Sequence, residues 1–368
     1  MRKKKIIIFN AGSNFYGAER GLLNLISALE NDYKVEVFLP FFGPLSKIIN
    51  DSCLSVSLKS FPFPILAKET NLFNYLIFVL RAFLSLVYLP FYFVWAKADI
   101  ICSNSLLLVV PALAARISGK KHIWYLREFF PNKILNRTLG SIVKRSSDLI
   151  IAQSETIASK LNLDHLAKVI YEPVSLGEKR TSPDLLKKKF NLSGSSLVIS
   201  VVSRIHPSKG QFEFLESIVD LLKDSDLVLL FVGDITSNKK RYRNYKNKII
   251  NLIETYQLSN VKMLGFLLDV AEIYDLSDIC VFPFLREEPF GIAVAEALSR
   301  GCLSYYPMKA GGEELFRLFG KGENYDIVNL KKNIRNFGLV QKDKVAILPE
   351  SLRIPRYSEI IKNAFSVL

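Results

Sequence analysis

Short β-branched and aliphatic runs alternate with longer helix-like stretches, and the alternation occurs in two series along the chain. In the first, "KIIIFNAG" precedes "GLLNLISALEN" and "KVEVFLP", and "ADIICSNS", "KHIWYLRE" and "SDLIIAQS" come later. Strands buried on both faces read as near-continuous apolar runs, and parallel neighbours need a crossover between them, usually a helix. The pattern therefore predicts an α/β fold with a parallel sheet. It restarts after residue 180 with "SLVISVVSRI", "FEFLESIVDLLKD", "LVLLFVGD", "VKMLGF" and "ICVFPF", followed by a helix expected from Pro289. At 368 residues the chain exceeds the usual size of a single core, so two doubly wound, Rossmann-like domains are expected to face each other across a cleft. "VIYEPVSLGEKRTSPD" mixes Pro, Gly, Ser and charge, which puts the hinge at about residues 172–184. The expected domains are residues 1–174 and 175–354, with a helix at 355–368 able to pack back on the first.

Lys and Arg number 49 against 35 Asp and Glu, and the net charge of +14 favours an anionic partner. Nucleic acid is not expected, because the basic residues lack an aromatic-interleaved or recognition-helix arrangement. Cys53, Cys102, Cys280 and Cys302 are scattered without metal-ligand spacing and read as reduced core residues. "MRKKKIIIFNAG" carries too short an apolar run for a secretory signal, so the expected compartment is the cytoplasm.

Residues 72–96, "LFNYLIFVLRAFLSLVYLPFYFVWA", are long and apolar enough to cross a bilayer, yet they hold Asn74, Arg81 and Pro90. A charge near mid-span costs about 2.5–3.5 kcal/mol. A span would also split what reads as one domain, which makes spanning the least favoured of three readings. The others are core helices broken at Pro90, or an apolar face lying in the cytoplasmic leaflet beside basic residues. The run "KKRYRNYKNK" suits anionic headgroups or serves as solvated loop charge.

Ligands of open α/β sheets sit beyond the carboxyl ends of the strands. After the first strand, "NAGSNFYGAERGLLNL" places Gly12 and Gly17 around a loop that opens a helix, a setting for a close-lying anion or a plain turn. After the first strand of the second series, "SRIHPSKGQFEF" sets Arg204 and Lys209 around Pro207. Two cations on such a loop suit a diphosphate, though surface charge explains them too; His206 reads as structural. In "EEPFGIAVAE", free amides around Phe290, Gly291 and Ile292 can face a phosphate. On a continuous helix Glu288 and Glu296 would lie up to about 12 Å apart and address opposite ends of one extended ligand. Glutamate accepts hydrogen bonds from vicinal hydroxyls, and the apolar surroundings of Glu296 imply a partly buried carboxylate that needs donors.

In order and spacing, "YGAERGLLNL", "SRIHPSKGQFEFLESI", "LVLLFVGD", "VKMLGFLLDVAEIYDLSDICVFPF" and "EEPFGIAVAEALSRG" resemble glycosyltransferase family 4 over most of the chain. These are retaining nucleotide-sugar enzymes of GT-B architecture. The resemblance implies transfer of a sugar to a cell-surface or polyprenyl-diphosphate-linked glycan, without cofactor or metal. Arg204 and Lys209 would stabilise the leaving nucleoside diphosphate. Glu288 would contact the sugar, Phe290 to Ile292 the phosphates and Glu296 the ribose, while Gly17 would close the first domain on the donor. The acceptor would attack from the leaving-group face, and the departing phosphate oxygen would take its proton. Where the family commonly has a His, "WYLREF" puts Arg127 and Glu128, which could reach sugar, phosphate or acceptor. The family's Pro-Val strand is replaced by "CLSYYPMKAGGEELF" around Gly311 and Gly312, leaving donor contacts there open. An inactive partner subunit and a nucleotide-sugar epimerase of the same fold are the alternatives.

Overall fold

The computed structural model describes residues 2–15, 17–66, 72–176, 181–193, 196–224, 226–237, 239–336 and 348–368. It turns the predicted alternation into two wholly parallel sheets. The chain divides into unit 1, Met1–Pro173 with Glu350–Leu368, and unit 2, Val174–Pro349.

Unit 1 opens with β1 (Lys5–Phe9), α1 (Gly17–Leu29), β2 (Lys34–Leu39), α2 (Pro44–Asp51), β3 (Val56–Ser60) and α3 (Leu72–Trp95). It continues through β4 (Ile100–Ser103), α4 (Val109–Ile117), β5 (Lys121–Leu126), α5 (Lys133–Ser146), β6 (Leu149–Ala152), α6 (Glu155–Lys160) and β7 (Ala167–Val169). The strand order β3-β2-β1-β4-β5-β6-β7 reverses direction at β1 and β4. Strand side chains alternate between faces, and in β1 both faces are apolar. Ile6 and Ile8 enter one core, with Leu22 and Ile26 of α1, while Ile7 and Phe9 enter another, with Leu89 and Phe93 of α3.

Unit 2 runs α7 (Pro183–Lys189), β8 (Leu197–Val202), α8 (Gln211–Asp224), β9 (Leu227–Val232), α9 (Lys240–Thr255) and β10 (Val261–Gly265). Then come α10 (Ala271–Leu276), β11 (Ile279–Val281), α11 (Ile292–Ser299), β12 (Leu303–Tyr306), α12 (Gly311–Phe319), β13 (Glu323–Asn324) and α13 (Ile327–Arg335). Its order β10-β9-β8-β11-β12-β13 reverses at β8 and β11. Last in the chain, α14 (Ile354–Ser366) belongs to unit 1 and packs on α1, burying Tyr357, Ile361 and Phe365.

Several expectations change. The returning segment starts at Glu350, a few residues before the expected 355. The run 72–96 is one helix that continues through Pro90, and core helices broken there do not form. Among the described side chains of the run, only the stripe of Ser85, Leu89 and Phe93 is wholly buried, while Phe73, Leu80, Phe83 and Phe91 are exposed. Composition shows that such a run is apolar, not how much of it a core can cover. Cys53 is exposed, whereas Cys102, Cys280 and Cys302 are buried as expected. "KKRYRNYKNK" is mostly helix α9 rather than loop, with Lys246 paired to Asp234 at 2.7 Å. Residues 337–347, ahead of the last helix, lie outside the described residues.

Candidate active site

At the reversal point of the second sheet, the loops after β8, β11 and β12 are stitched together. Leu285 N–H donates to the Ser208 carbonyl at 3.0 Å, and Gly311 N–H donates to the Glu288 carbonyl at 3.1 Å. Two glycines make this approach sterically feasible. A Cβ on Gly210, whose φ is +70°, would stand 2.0 Å from the Pro283 carbonyl oxygen. One on Gly311 would stand 2.5 Å from the Phe290 Cα. Side chains at both sites are excluded by backbone that cannot give way.

The stitching brings Lys209 to Glu288, with Nζ 2.8 Å from Oε1. The same ammonium lies 4.2 Å from the centroid of the Phe284 ring, a cation–π contact. Burial lowers the Lys209 pKa; Glu288 opposes that shift and Arg204 adds to it. Arg204 itself is exposed. His206 accepts from Ser208 N–H at 3.0 Å and caps the short 3-10 turn Pro207–Lys209. Burial, then Arg204, Arg241, Lys209 and Arg286, push its pKa down to about 4. A neutral imidazole therefore sits amid cations, and Arg241 and Arg286 join the basic cluster that sequence reading confined to Arg204 and Lys209.

The helix expected from Pro289 begins at Ile292, with Gly291 as its N-cap at φ 95° and ψ 56°. Glycine takes this left-handed conformation at little cost, and it turns the chain from the Pro289–Phe290 segment into α11. Glu288 is thus off the helix and Glu296 on it, so the two acids are not two turns of one helix apart as expected. Phe290 is buried, and Ile292 opens α11. Helical bonding starts at Val294 N–H, which reaches the Gly291 carbonyl at 2.9 Å, and amides ahead of it have no acceptor within the helix. Glu296 is 5% exposed and accepts from the Tyr274 hydroxyl at 3.0 Å. Its burial was legible in the apolar sequence around it; Tyr274, from α10, carried no signal.

Glu288, Phe290, Gly291 and Arg286 line a cavity of about 240 Å³ together with Tyr306, Pro307, Lys309 and Leu315. The atypical 302–316 segment therefore forms one wall of the pocket. Ala310, at φ 54° and ψ −123°, holds a conformation that non-glycine residues rarely adopt and turns the chain into α12.

Unit 1 carries a different constellation at its own reversal point. Asn104 Nδ2 donates to Asn10 Oδ1 at 2.7 Å, and Arg127 Nε donates to Asn104 Oδ1 at 2.8 Å. Arg127 Nη1 lies 2.6 Å from Glu172 Oε1, with both side chains 3% exposed. Tyr125 also donates to Glu172, at 2.8 Å, and its hydroxyl meets that of Tyr357 at 3.3 Å. The structure thus places Arg127 in a buried ion pair, with Nη2 lacking a partner among the described residues. Neighbouring Glu128 is only part-buried and accepts from the Ser105 hydroxyl. Burial raises its pKa, against the pull of Ser105 and the Leu106 and Leu107 amides. Gly17 is the exposed first residue of α1.

Residues 183–304 match the sequence model of the family described as Glycosyl transferases group 1. An Escherichia coli protein, UDP-Gal:alpha-D-GlcNAc-diphosphoundecaprenol alpha-1,3-galactosyltransferase, is 23% identical over 307 residues, covering 77% of this chain and 74% of its own. Anabaena Alr3699/HepE, solved in complex with UDP and glucose, superposes with a TM-score of 0.78 at 19% identity, covering 99% of this chain and 100% of its own. A glycosyltransferase from Rickettsia africae ESF-5 gives 0.72 at 18% identity, covering 99% and 95%. The architecture shared with these structures is GT-B.

Proposed function

We infer that the chain is a GT-B glycosyltransferase of the family 4 type, moving a hexose with retention from a nucleotide-sugar to a lipid-linked or cell-surface glycan, without a metal ion. The observation that carries this reading is the stitching of three strand-end loops, which joins Lys209 to Glu288 beside Arg204 and the start of α11. Support comes from the UDP and glucose held by the Anabaena protein and from the diphosphoundecaprenol in the name of the Escherichia coli relative.

In this reading the donor diphosphate rests on Arg204, Lys209 and the amides from Phe290 to Ile292. Arg supplies a fork and Lys a point charge, so charge developing on the departing diphosphate meets fixed cations. The bond from the sugar C1 to the phosphate oxygen breaks, and its electron pair leaves with the nucleoside diphosphate. The acceptor oxygen bonds to C1 on the same face, and its proton passes to the departing phosphate oxygen. Glu288, oriented by Lys209, accepts from sugar hydroxyls. Glu296, fixed by Tyr274, takes the ribose hydroxyls. We assign Gly17 to donor binding, and Arg127 and Glu128 to the sugar or acceptor. Arg127 acts there by positioning, because most of its guanidinium is already committed. A lipid-linked acceptor places the protein at the cytoplasmic leaflet as a peripheral protein.

The test is nucleoside diphosphate release from a panel of UDP-sugars, with a GlcNAc-diphospho-lipid acceptor and excess EDTA, and with the product anomer read by NMR. Release that persists in EDTA, with a retained anomer, is expected. Folded protein that releases no nucleotide from any donor would sink the enzyme reading and favour an inactive partner subunit. A sugar altered at one carbon without acceptor transfer would point to an epimerase.

A further inference from the structure

The outward face of α3 is apolar along its length. Phe73, Leu76, Leu80, Phe83, Val87 and Phe91 recur at intervals of three or four and are all exposed, so they form one stripe. The opposite stripe, Ser85, Leu89 and Phe93, packs into unit 1. Exposed Leu113 and Ile117 of α4, the helix packed beside α3, widen the surface. By length and composition α3 is able to cross a membrane. The topology forbids it: β3 feeds α3, β4 receives it, and both strands belong to one sheet with β2 and β1 between them. Both ends of the helix must stay on the same side.

Charge identifies the occupant. At about 100° per residue, Arg81 falls about 120° from the centre of the apolar stripe, on the flank where a long cation can reach headgroups. The helix ends at exposed Trp95, exposed Lys97 follows in the turn beyond it, and Arg2 is anchored there by donating to the Lys97 carbonyl at 3.2 Å. Lys3, Lys4 and Arg116 extend the basic rim, while Asp99 is engaged by the Lys5 N–H at 2.7 Å. Aromatic and basic residues flanking an apolar stripe suit the boundary of an anionic leaflet.

We infer that α3 lies in the plane of an anionic membrane leaflet, its outward stripe among the acyl chains and the rim of Arg2, Lys97 and Arg116 on the headgroups. This deepens the peripheral location proposed above and is independent of the transfer chemistry. The experiment is flotation of the full chain with vesicles of phosphatidylglycerol and phosphatidylethanolamine. Leu80→Gln with Phe83→Gln lowers binding about tenfold or more. Lys97→Gln and Arg116→Gln each lower it about fivefold at low salt. In a Cys53→Ser background, Lys59→Cys and Lys97→Cys both react with an impermeant maleimide added outside. UDP binding is unchanged in all of these variants, so a failed membrane reading leaves the catalytic one standing, and the reverse. Absence of flotation, flotation insensitive to Leu80→Gln with Phe83→Gln, labelling at only one end, or a lipid-free dimer dispersed by that double variant would each overturn the inference.

Discussion

Replacing Lys209 with Met keeps an unbranched apolar side chain and deletes the ammonium with its contacts to Glu288 and the Phe284 ring. Two consequences for stability oppose each other. Burial lowers the pKa of this lysine, so its charge is held at a cost that the substitution relieves. Against that, Glu288 loses its 2.8 Å partner, but its side chain is 22% exposed and water can replace part of the lost contact. The net change should stay within about 1 kcal/mol, or roughly 2–4 °C in Tm for a domain of this size. Catalysis has no such compensation. Removing one preorganised group that stabilises developing negative charge costs about 10²–10³ in kcat. The assay is initial-rate UDP release at saturating acceptor, beside calorimetric Tm and UDP affinity. A kcat within about threefold of the parent, in protein with unchanged Tm, would refute the assignment of Lys209 to the leaving group.

Alkaline pH should act on the same residue: its lowered pKa means activity falls at a pH below that of an ordinary lysine, and Lys209→Arg should move that limb upward. The folded state binds this proton less tightly than the unfolded chain, so the group's effect on stability has the opposite sign and improves as pH rises through the same window, as paired melting curves would reveal. Gly210→Ala must place a methyl 2.0 Å from a backbone carbonyl at φ +70°, and should cost about 2–4 kcal/mol in urea unfolding together with most of the activity. In Tyr274→Phe, Glu296 loses a donor while buried; an increase of about tenfold in the donor KM, exceeding any effect on kcat, is the expected signature. Arg127→Ala leaves Glu172 buried without its cation, for which about 3–5 kcal/mol of destabilisation should appear in chemical denaturation.

The two parallel sheets were readable because a strand buried on both faces leaves little but aliphatic residues, as "KIIIF" and "LVLLFV" do. Arg204, Lys209 and Glu288 drew notice for a related reason, because charge at a strand end beside Gly or Pro suits an anionic or hydroxylated ligand, whereas Arg286 and Lys309, which also line the pocket, did not. What stayed hidden was contact between distant segments. The Lys209–Glu288 pair links residues 79 positions apart, and they meet because Gly210 lets its loop approach Pro283 and Leu285 bonds the Ser208 carbonyl. Glu172, in a stretch that reads as linker, gave no sign that it is the buried partner of Arg127. The start of α11 was misplaced because Pro289 is acceptable in a first helical turn, and sequence alone does not show that Gly291 takes a positive φ.

Unit 1 is assembled from two separate stretches of chain, and this orders events during synthesis. Val174–Pro349 can close its own core as soon as it leaves the ribosome, whereas the first 173 residues must wait for α14 to supply Tyr357, Ile361 and Phe365. During that interval the hydroxyl of Tyr125 lacks its Tyr357 neighbour and the α1 face stands open to water. A chain ending before residue 350 and released from the ribosome is therefore expected to show one protease-resistant piece and one sensitive piece. The greasy surface of α3 is then presented by a half-finished domain, which makes chaperone capture, or early contact with a membrane, a matter of translation rate.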